Sequence, residues 1–422
     1  MSKKERIILL LLSAINFTHI LDFMIMMPLG NFLIPYFGIS AQQFSLIVAS
    51  YTLSAGTVGF LAAFFVDRFD RKRVLLTGYT GFIVGTICCG IAPTYELLLA
   101  SRILAGAFGG LIGAQVLSIV ADIFIYERRG VAMGAIMSAF SVASVFGVPF
   151  GLYLANHISW HAPFILVGIL GIFIIVLVAR YLPPMNTHIR AKDDSGRVQQ
   201  MVRVVKQIAS DKAQLNALAL SASLMMGHFM IVPFINPYME FNVGFTKDQT
   251  PLIYLVGGTL TFFSSPLIGR IADKKGKMQV FRFFVLTSIL PVFLITNMPP
   301  IPFYFVLMVT GIWFVLSTGR GIPAQAMISN VVPSEQRGSF MSFNTSVQQL
   351  FTGMASLIAG WIVTVDAEGK IHNYQWVGYI SIAIVFSCLF TAGFLNKRIL
   401  EKQAVEKETA AVASAEQHPE AS

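Results

Sequence analysis

The feature that most constrains this chain is a series of long apolar segments separated by short polar connections. A helix needs about 20 predominantly apolar residues to cross the hydrocarbon core of a bilayer. Windows of about 19 residues find twelve such segments. The sequence therefore predicts an all-α polytopic membrane protein with twelve transmembrane helices, at 7–29, 44–66, 74–92, 97–121, 131–154, 163–181, 213–234, 251–271, 280–297, 303–331, 340–364 and 376–395.

The charge content excludes the soluble classes. Only 12% of the residues are charged, about half the ~25% of an ordinary soluble domain. A net charge of +9 would suggest a nucleic-acid partner for a soluble protein, but in a membrane protein basic residues mainly set the orientation. We therefore expect the lipid bilayer, and no nucleic acid, as a partner.

The distribution of lysine and arginine predicts the orientation. With both termini in the cytoplasm, 26 of the 30 basic residues fall in cytoplasmic segments, and the external loops hold Lys247 and Lys370. The remaining two, Arg102 and Arg320, lie within spans. Because cytoplasmic loops carry an excess of basic residues, we expect a multi-pass protein of the cell (inner) membrane with both termini cytoplasmic.

The chain divides into two similar halves. Asp67 aligns with Asp273 at an offset of 206 residues and Gly130 with Gly338 at an offset of 208, which indicates a duplicated six-helix unit. Transporters built this way bind substrate near the midplane, between the halves. The predicted parts are an N-terminal bundle (1–181), a cytoplasmic linker (182–212), a C-terminal bundle (213–395), and a frayed helix end with a disordered tail (396–422).

The loop after the second span, AAFFVDRFDRKRVLL, resembles the signature Gly-x-Leu-x-Asp-Arg-x-Gly-Arg-Lys of the major facilitator superfamily. Its matching residues are Asp67, Arg68, Arg71 and Lys72, and its departures are Ala63 and Asp70 in place of glycines. This resemblance covers about residues 6–398. It implies that Asp67, Arg71 and Asp273 form a cytoplasmic latch, which holds the halves together in the outward-facing state. A generic basic loop is the alternative.

Charged residues inside the first-half spans are candidates for proton coupling. Asp22 lies in the first span and Arg102 in the fourth, and such charges normally face a partner or a cavity. The fourth span is similar to a family signature with an embedded arginine. In the superfamily helices 1 and 4 line the central cavity, so the resemblance implies that the two charges meet. His19 shares the helical face of Asp22. The alternatives are a static ion pair and an Arg102 that snorkels to the interface.

The fifth span carries small residues at every fourth position, which lets another helix approach closely. Within it, Gly147, Pro149 and Gly151 occur in the sequence GVPFG. This sequence is similar to the antiporter motif of the drug and sugar efflux branch, in a variant form because the commoner motif has adjacent Gly-Pro. Close packing alone is the alternative.

Polar residues in the second-half spans are candidates for a substrate cavity. An Arg320 that faces the cavity would favour anionic or zwitterionic substrates, whereas packing beside Gly319 and Gly321 is the alternative. A hydrogen-bonded core position for His228, and polar packing for the amides, are the corresponding alternatives. The five candidates are Arg320, His228, Asn344, Gln348 and Asn236.

No sequence motif indicates an enzyme, because the signatures of intramembrane proteases and phosphate-binding loops are missing. His157 and His161 could ligate a metal if their loop is helical, but no third ligand is evident. We therefore expect neither a metal nor a cofactor, and we interpret Cys88, Cys89 and Cys388 as packing residues.

The sequence thus predicts a secondary transporter, acting as a monomer on protons and a small-molecule substrate. The favoured activity is proton-coupled antiport that exports small amphipathic or sugar-like solutes by alternating access. The alternative is a proton-coupled symporter or a facilitator for uptake of a small anionic or zwitterionic metabolite. A channel is distinguished by flux, because a carrier saturates and counter-exchanges.

The orientation can be tested with single cysteines introduced into the loops of a variant without its three native cysteines. An impermeant maleimide added from outside should label only the odd-numbered connections, since these are the external ones. Labelling of the 182–212 linker from outside would contradict the predicted topology.

Overall fold

The computed structural model describes residues 2–62, 64, 66–124, 126–186, 205–332 and 337–416. Within these ranges it is a bundle of long helices, which we number by the predicted span that each one contains. The first six are α1 (Lys3–Met26), α2 (Ala41–Ala62), α3 (Arg71–Gly90), α4 (Tyr95–Ile123), α5 (Tyr126–Val142 continued by Val148–His157) and α6 (Ala162–Tyr181). The second six are α7 (Lys212–Phe229 continued by Val232–Tyr238), α8 (Thr250–Lys275), α9 (Lys277–Thr296), α10 (Phe303–Ser329), α11 (Arg337–Ile362) and α12 (Tyr374–Glu416).

Eleven helices in the described ranges are long and apolar enough to cross a membrane. The remaining predicted span is α11, a helix of 26 residues and therefore ~39 Å long. It is less apolar because polar side chains such as Asn344, Ser346 and Gln348 occupy its first half. It packs along α2 of the other half, where Phe60 and Phe343 have ring centroids 5.4 Å apart. Its place in the bundle is thus that of a twelfth span.

Prolines interrupt α5 and α7. In α5 a π-helical turn at Ala143–Gly147 comes just before Pro149. In α7 a second π-helical turn, Met239–Val243, follows Pro237. Proline has no N–H to donate to the preceding turn, and a π turn accommodates this local change in the hydrogen-bond ladder. Helix α7 is therefore interrupted after Phe229 and again after Tyr238.

The last helix continues beyond the predicted span to Glu416. The helix end that is predicted after residue 395 thus reaches at least to this residue, and 417–422 lie outside the described residues. This segment is rich in alanine, glutamate and lysine, which have high helix propensity.

Of the predicted linker, residues 187–204 lie outside the described residues. Its two ends pack against their own halves through Met185 and Ile208.

A short hairpin lies between α11 and α12. The strands β1 (Thr364–Val365) and β2 (Ile371–His372) pair antiparallel, with Thr364 opposite His372. The His372 Nε2 and Asp366 Oδ2 atoms are 2.7 Å apart, and this hydrogen bond lowers the pKa of the Asp366 carboxyl. Lys370 is anchored by Glu368, which raises the pKa of its ammonium group.

The two halves are joined unevenly along the bundle. We call the end at which α1 begins and α8 finishes the terminal end, and the opposite one the distal end. Toward the distal end, one apolar cluster contains residues of both halves, including Ile25, Phe44, Phe234 and Tyr374. Toward the terminal end, each half has clusters of its own. The structure is therefore closed at its distal end.

Side-chain hydrogen bonds support this closure. In the part of the chain that the structure describes, three of them cross between the halves, and all lie at the distal end. They are Asn31 Nδ2 to Glu240 Oε2, Asn156 Nδ2 to the Lys247 carbonyl (2.7 Å) and Asn236 Nδ2 to the Pro28 carbonyl (3.2 Å).

Glycines allow α4 to approach α2 very closely. A Cβ atom on Gly106 would overlap the Tyr51 carbonyl oxygen and Ser54 Oγ, and one on Gly110 would overlap the Ala55 carbonyl oxygen. Helix association in a membrane depends on such close packing, since lipid tails are as apolar as the side chains. The backbone of α2 is thereby held against α4 at the level of Tyr51.

This packing predicts different effects for two glycines of α4. Gly106→Ala should destabilise the protein by about 1–3 kcal/mol, because overpacking forces the helices apart. Gly113 is the matched control, since a Cβ atom there meets nothing within 4 Å and alanine is the better helix former. Thermal unfolding of both variants in detergent would measure the difference, and equal midpoints would contradict the proposed packing.

Candidate functional site

A buried ion pair joins α1 to α4. The Arg102 Nη1 and Asp22 Oδ2 atoms are 2.7 Å apart, and both residues are fully buried. Asp22 is four residues from the end of α1 at Met26, and the short helix Gly30–Phe37 with the shared apolar cluster lies beyond it. The pair is therefore located toward the closed distal end, and the contact that the sequence analysis expected is present.

The pair leaves polar atoms unsatisfied. Asp22 Oδ1 and Arg102 Nε are buried and have no hydrogen-bond partner among the described residues. The Arg102 guanidinium carbon lies 4.3 Å from the centroid of the Tyr51 ring, a favourable cation–π arrangement. Gly106, one turn after Arg102 in α4, makes the cation–π contact possible because it allows α2 to lie close to α4. Tyr51 Oη likewise has no partner within the described ranges.

His19 lies one turn further from the distal end than Asp22. Its ring packs edge-on against Phe82, with centroids 5.3 Å apart, and its Nε2 atom has no described hydrogen-bond partner. A Cβ atom on Gly109 would lie 2.9 Å from both His19 Nε2 and Tyr51 Oη. Because Gly109 has no side chain, two polar atoms, one from α1 and one from α2, can come close to the backbone of α4.

Helix α5 packs directly against the part of α1 that carries Asp22. Cβ atoms on Gly147 and Gly151 would come within 2.9 Å of Leu21 and 2.7 Å of Ile25. On another side of α5, Ser144 in the π-helical turn Ala143–Gly147 contacts Gly258 of α8. A Cβ atom added to Gly258 would lie 3.1 Å from the Ser144 carbonyl carbon. Helix α5 therefore connects α1, through Gly147 and Gly151, to the second half, through Ser144.

Arg320 is buried inside the second half. Its Nη1 atom donates a hydrogen bond to Ser288 Oγ of α9 at 3.2 Å, and no ion pair involves it within the described residues. His228 is stacked on Trp313, with ring centroids 5.1 Å apart and an interplanar angle of 16°. The His228 Nδ1 and Trp313 Nε1 atoms have no partner in the described ranges.

The three amide candidates differ in their surroundings. Asn344 is fully buried, and neither of its side-chain polar atoms has a partner in the described part of the chain. Gln348 donates to Ser221 Oγ at 2.8 Å and thereby connects α11 to α7. Asn236 belongs to the distal closure, because it binds the Pro28 carbonyl of the other half. Of the three, Asn344 has free hydrogen-bonding capacity on both polar atoms.

The predicted latch residues do not bridge the halves in this structure, as far as they are described. Arg71 pairs with Asp122 of its own half, with Nη1 and Oδ1 3.0 Å apart, and donates to the Ser118 carbonyl at 2.8 Å. Asp273 is exposed, and the side chain of Asp67 lies outside the described residues. Asp70, where the signature has glycine, caps α3 through the amide of Lys72.

Several residues around the candidate site were missed by sequence reasoning. Tyr51, Trp313 and Ser288 carry no signal in the sequence, since an aromatic or hydroxyl residue is common in a span. Glu240 could have been noticed, because an acid follows the apolar run VPFINPYM.

The two histidines around the end of α5 each contact a backbone carbonyl through Nδ1. His157 contacts the carbonyl of Tyr153 and His161 that of Gly90, both at 3.0 Å.

Comparison with known proteins identifies the family. The model of the Major Facilitator Superfamily matches residues 12–325, which is about three quarters of the chain. The chain belongs to the Major Facilitator Superfamily. It is accordingly a multi-pass membrane protein and a secondary transporter, and not an enzyme, as the sequence predicted.

Curated relatives of this transporter are distant. An uncharacterized MFS-type transporter of Bacillus subtilis, YceJ, is 23% identical over 87% of this chain and 90% of its own length. Multidrug resistance protein 3 of the same organism is 29% identical over 52% of this chain and 46% of its own length. The putative transporter AraJ of Escherichia coli is 24% identical, over 58% of this chain and 59% of its own length.

Solved structures share the fold of this transporter. A D-xylose-proton symporter aligns with a TM-score of 0.74 at 15% identity, over 92% of this chain and 97% of that one. A bacterial homologue of the human lysosomal transporter Spinster, in an inward-facing and unoccupied conformation, gives 0.73 at 15% identity, over 95% and 98%. The predicted fold class of two six-helix bundles is thus confirmed.

The buried ion pair predicts a specific pattern of stability. Arg102→Met should destabilise the protein by about 3–5 kcal/mol, because it leaves the Asp22 carboxyl uncompensated. The double variant Asp22→Asn/Arg102→Met should lose less than the single variant, since no charge is left unpaired. Denaturation in detergent would measure both, with Arg282→Met at an exposed arginine as the control. A double variant that loses more than Arg102→Met would contradict the pairing.

Proposed function

We propose that this transporter is a proton-coupled antiporter that exports small amphipathic or sugar-like solutes by alternating access. The observation that carries the proposal is the Asp22–Arg102 pair. A carboxylate and a guanidinium without access to water are costly inside a membrane and are typically retained for ion or proton pathways. Asp22 is proposed as the proton carrier, with Arg102 as its switch and His19 as the adjacent relay.

The proposed cycle has two states of the carboxyl group. In contact with Arg102, Asp22 is stabilised as the carboxylate and releases its proton. When the pair separates, the desolvated carboxylate is disfavoured, and Asp22 takes a proton up. One proton thus enters on one side of the membrane and leaves on the other, while the solute moves in the opposite direction.

Helix α5 supports a mechanical link between this switch and the rest of the molecule. Gly147 and Gly151 contact the α1 residues on either side of Asp22, and Ser144 contacts α8 of the second half. A change in the angle between the halves therefore acts on the segment of α1 that positions the carboxyl group. Pro149 and the π-helical turn mark the place where α5 can bend.

The distal closure and the latch are proposed to form in alternate states. Here the distal hydrogen bonds are present, and Arg71 is paired within its own half. When the distal end opens and the terminal end closes, Arg71 would exchange Asp122 for partners that include Asp67 and Asp273.

The name of one relative supports export. One of them is named as a multidrug resistance protein, a name that fits removal of amphipathic solutes from the cell. The bacterial relatives also support the proposed location in the cell (inner) membrane, with both termini cytoplasmic. We further propose that the monomer is the functional unit.

A second candidate function is uptake of a small anionic or zwitterionic metabolite by proton symport or facilitated diffusion. The observation in its favour is Arg320, a buried cation whose described side-chain partner is the neutral Ser288. An anionic group could compensate this charge. His228 and Asn344 would complete such a site, since both have buried polar atoms without described partners. A D-xylose-proton symporter shares the fold.

The two functions can be separated in everted vesicles. Vesicles containing the wild type would be given a pH gradient, acidic inside, and screened with a library of solutes. An antiporter should accumulate its solute, whereas a symporter should be driven to expel it. Asp22→Asn should abolish gradient-driven accumulation while leaving solute binding nearly independent of pH. Arg102→Ala should leave Asp22 protonated and uncouple transport.

Asp248→Asn provides the matched control, because it makes the same chemical change at an exposed position. It should accumulate solute as the wild type does. If Asp22→Asn also concentrates solute with normal pH dependence, Asp22 is not the proton carrier, and His19 and His228 are next to be tested.

A further inference from the structure

A basic cavity opens at the terminal end of the first half, away from the ion pair. It has a volume of about 590 Å³ and lies where the ends of α1, α3 and α6 meet. Its charged lining consists of Lys3, Lys4, Lys72 and Arg180, and Tyr181 contributes an aromatic ring. The lining contains no acidic residue among those described. Four cations therefore converge on one space that is large enough for a polar ligand group.

Among the described residues, the acids nearest in sequence to the cavity lysines are engaged elsewhere. Glu5 binds the Ser2 amide and approaches Arg128, with 3.9 Å between Oε2 and Nη1. The Asp70 carboxylate accepts from backbone amides, including that of Met185. None of the four cavity cations forms a salt bridge within the described ranges. Their charge is thus available to a ligand, apart from one hydrogen bond from Lys72 Nζ to the Ala179 carbonyl.

Next to the cavity, toward the distal end, α1 and α6 expose apolar side chains. Leu10 follows the cavity residue Ile7 by one turn of α1 and is 70% exposed. On α6, Val176 and Phe173 precede Arg180 by one and two turns and are 60% and 62% exposed. In a membrane protein, such side chains contact acyl chains. The cavity is therefore followed, on α1 and on α6, by side chains that are exposed to lipid.

We propose that this cavity binds the headgroup of an anionic phospholipid in the leaflet at the terminal end. The lysines and Arg180 would bind the phosphate oxygens, since guanidinium and ammonium groups are strong donors to phosphate. The acyl chains would lie along Leu10, Phe173 and Val176. Basic pockets between helices at the cytoplasmic surface recognise lipid headgroups in this way. A free phosphate would use the cations but not the exposed apolar side chains.

The test compares the full chain in detergent with a triple variant, Lys3→Gln/Lys4→Gln/Arg180→Gln, by native mass spectrometry. The probes are phosphatidylglycerol and phosphatidylcholine with identical acyl chains. Each basic residue near a membrane surface contributes about 1 kcal/mol, so the triple variant should bind phosphatidylglycerol about a hundredfold more weakly. The control variant Lys274→Gln/Lys275→Gln/Lys277→Gln loses the same charge at the same end of the bundle and should bind like the wild type.

Two further arms separate the sources of the phosphate and guard against misfolding. Glycerol 3-phosphate at millimolar concentration should not displace the lipid; displacement would show a site for soluble phosphate and overturn the proposal. Raising the salt concentration should weaken wild-type binding of phosphatidylglycerol more than that of phosphatidylcholine. Equal binding of both lipids at all salt concentrations, or equal losses in the two triple variants, would also overturn it.

Discussion

The Asp22–Arg102 pair is the interaction on which the arrangement of the first half depends. Two opposite charges are buried in an apolar surrounding, where either one alone would be costly. Their contact requires α1 and α4 to meet at one level, and Tyr51 of α2 covers the guanidinium. That cover exists because Gly106 lets the backbones of α2 and α4 come together. The glycines of α4 thus support the electrostatics of the site.

The distal closure adds a constraint on movement. Apolar residues of both halves form one cluster beyond the ion pair, so the pair is covered on that side. The clusters nearer the terminal end belong to separate halves. Any conformational change that exposes Asp22 to the distal side must therefore separate this shared cluster and break the hydrogen bonds of Asn31, Asn156 and Asn236.

Much of the fold could be predicted from the sequence, because hydrophobic length and basic loops depend on local composition. The contact between Asp22 and Arg102 could also be anticipated, since a charge in a span needs a partner. The cation–π contact of Tyr51 and the stacking of Trp313 on His228 could not, because they depend on how helices rotate about their axes. Asn236 and Arg320 show the same limit. Their polarity was evident from the sequence, but the first closes the distal end and the second faces α9.

The length of α12, which ends at Glu416, illustrates a different limit, since composition alone does not show where a polar helix ends and a disordered segment begins. The basic cavity is lined by residues from three distant stretches of the sequence. In the sequence alone, its four cations do not differ from ordinary cytoplasmic charges; they are Lys3, Lys4, Lys72 and Arg180. Only the adjacency of α1, α3 and α6 brings them to one place.

The contact between α2 and α11 has a consequence for the direction of movement. It extends from Gly360 beside Ser45, through Gly353 and Gly56, to the Phe60–Phe343 pair, and so follows most of both helices. The contacts between α5 and α8 are formed mainly by the π-helical turn and by Val148–His157, the distal part of α5. The halves are thus held together along most of α2 and α11, but through α5 and α8 mainly in their distal parts. Opening of the terminal end is therefore easiest between the terminal parts of α5 and α8, because fewer contacts have to be broken there than between α2 and α11.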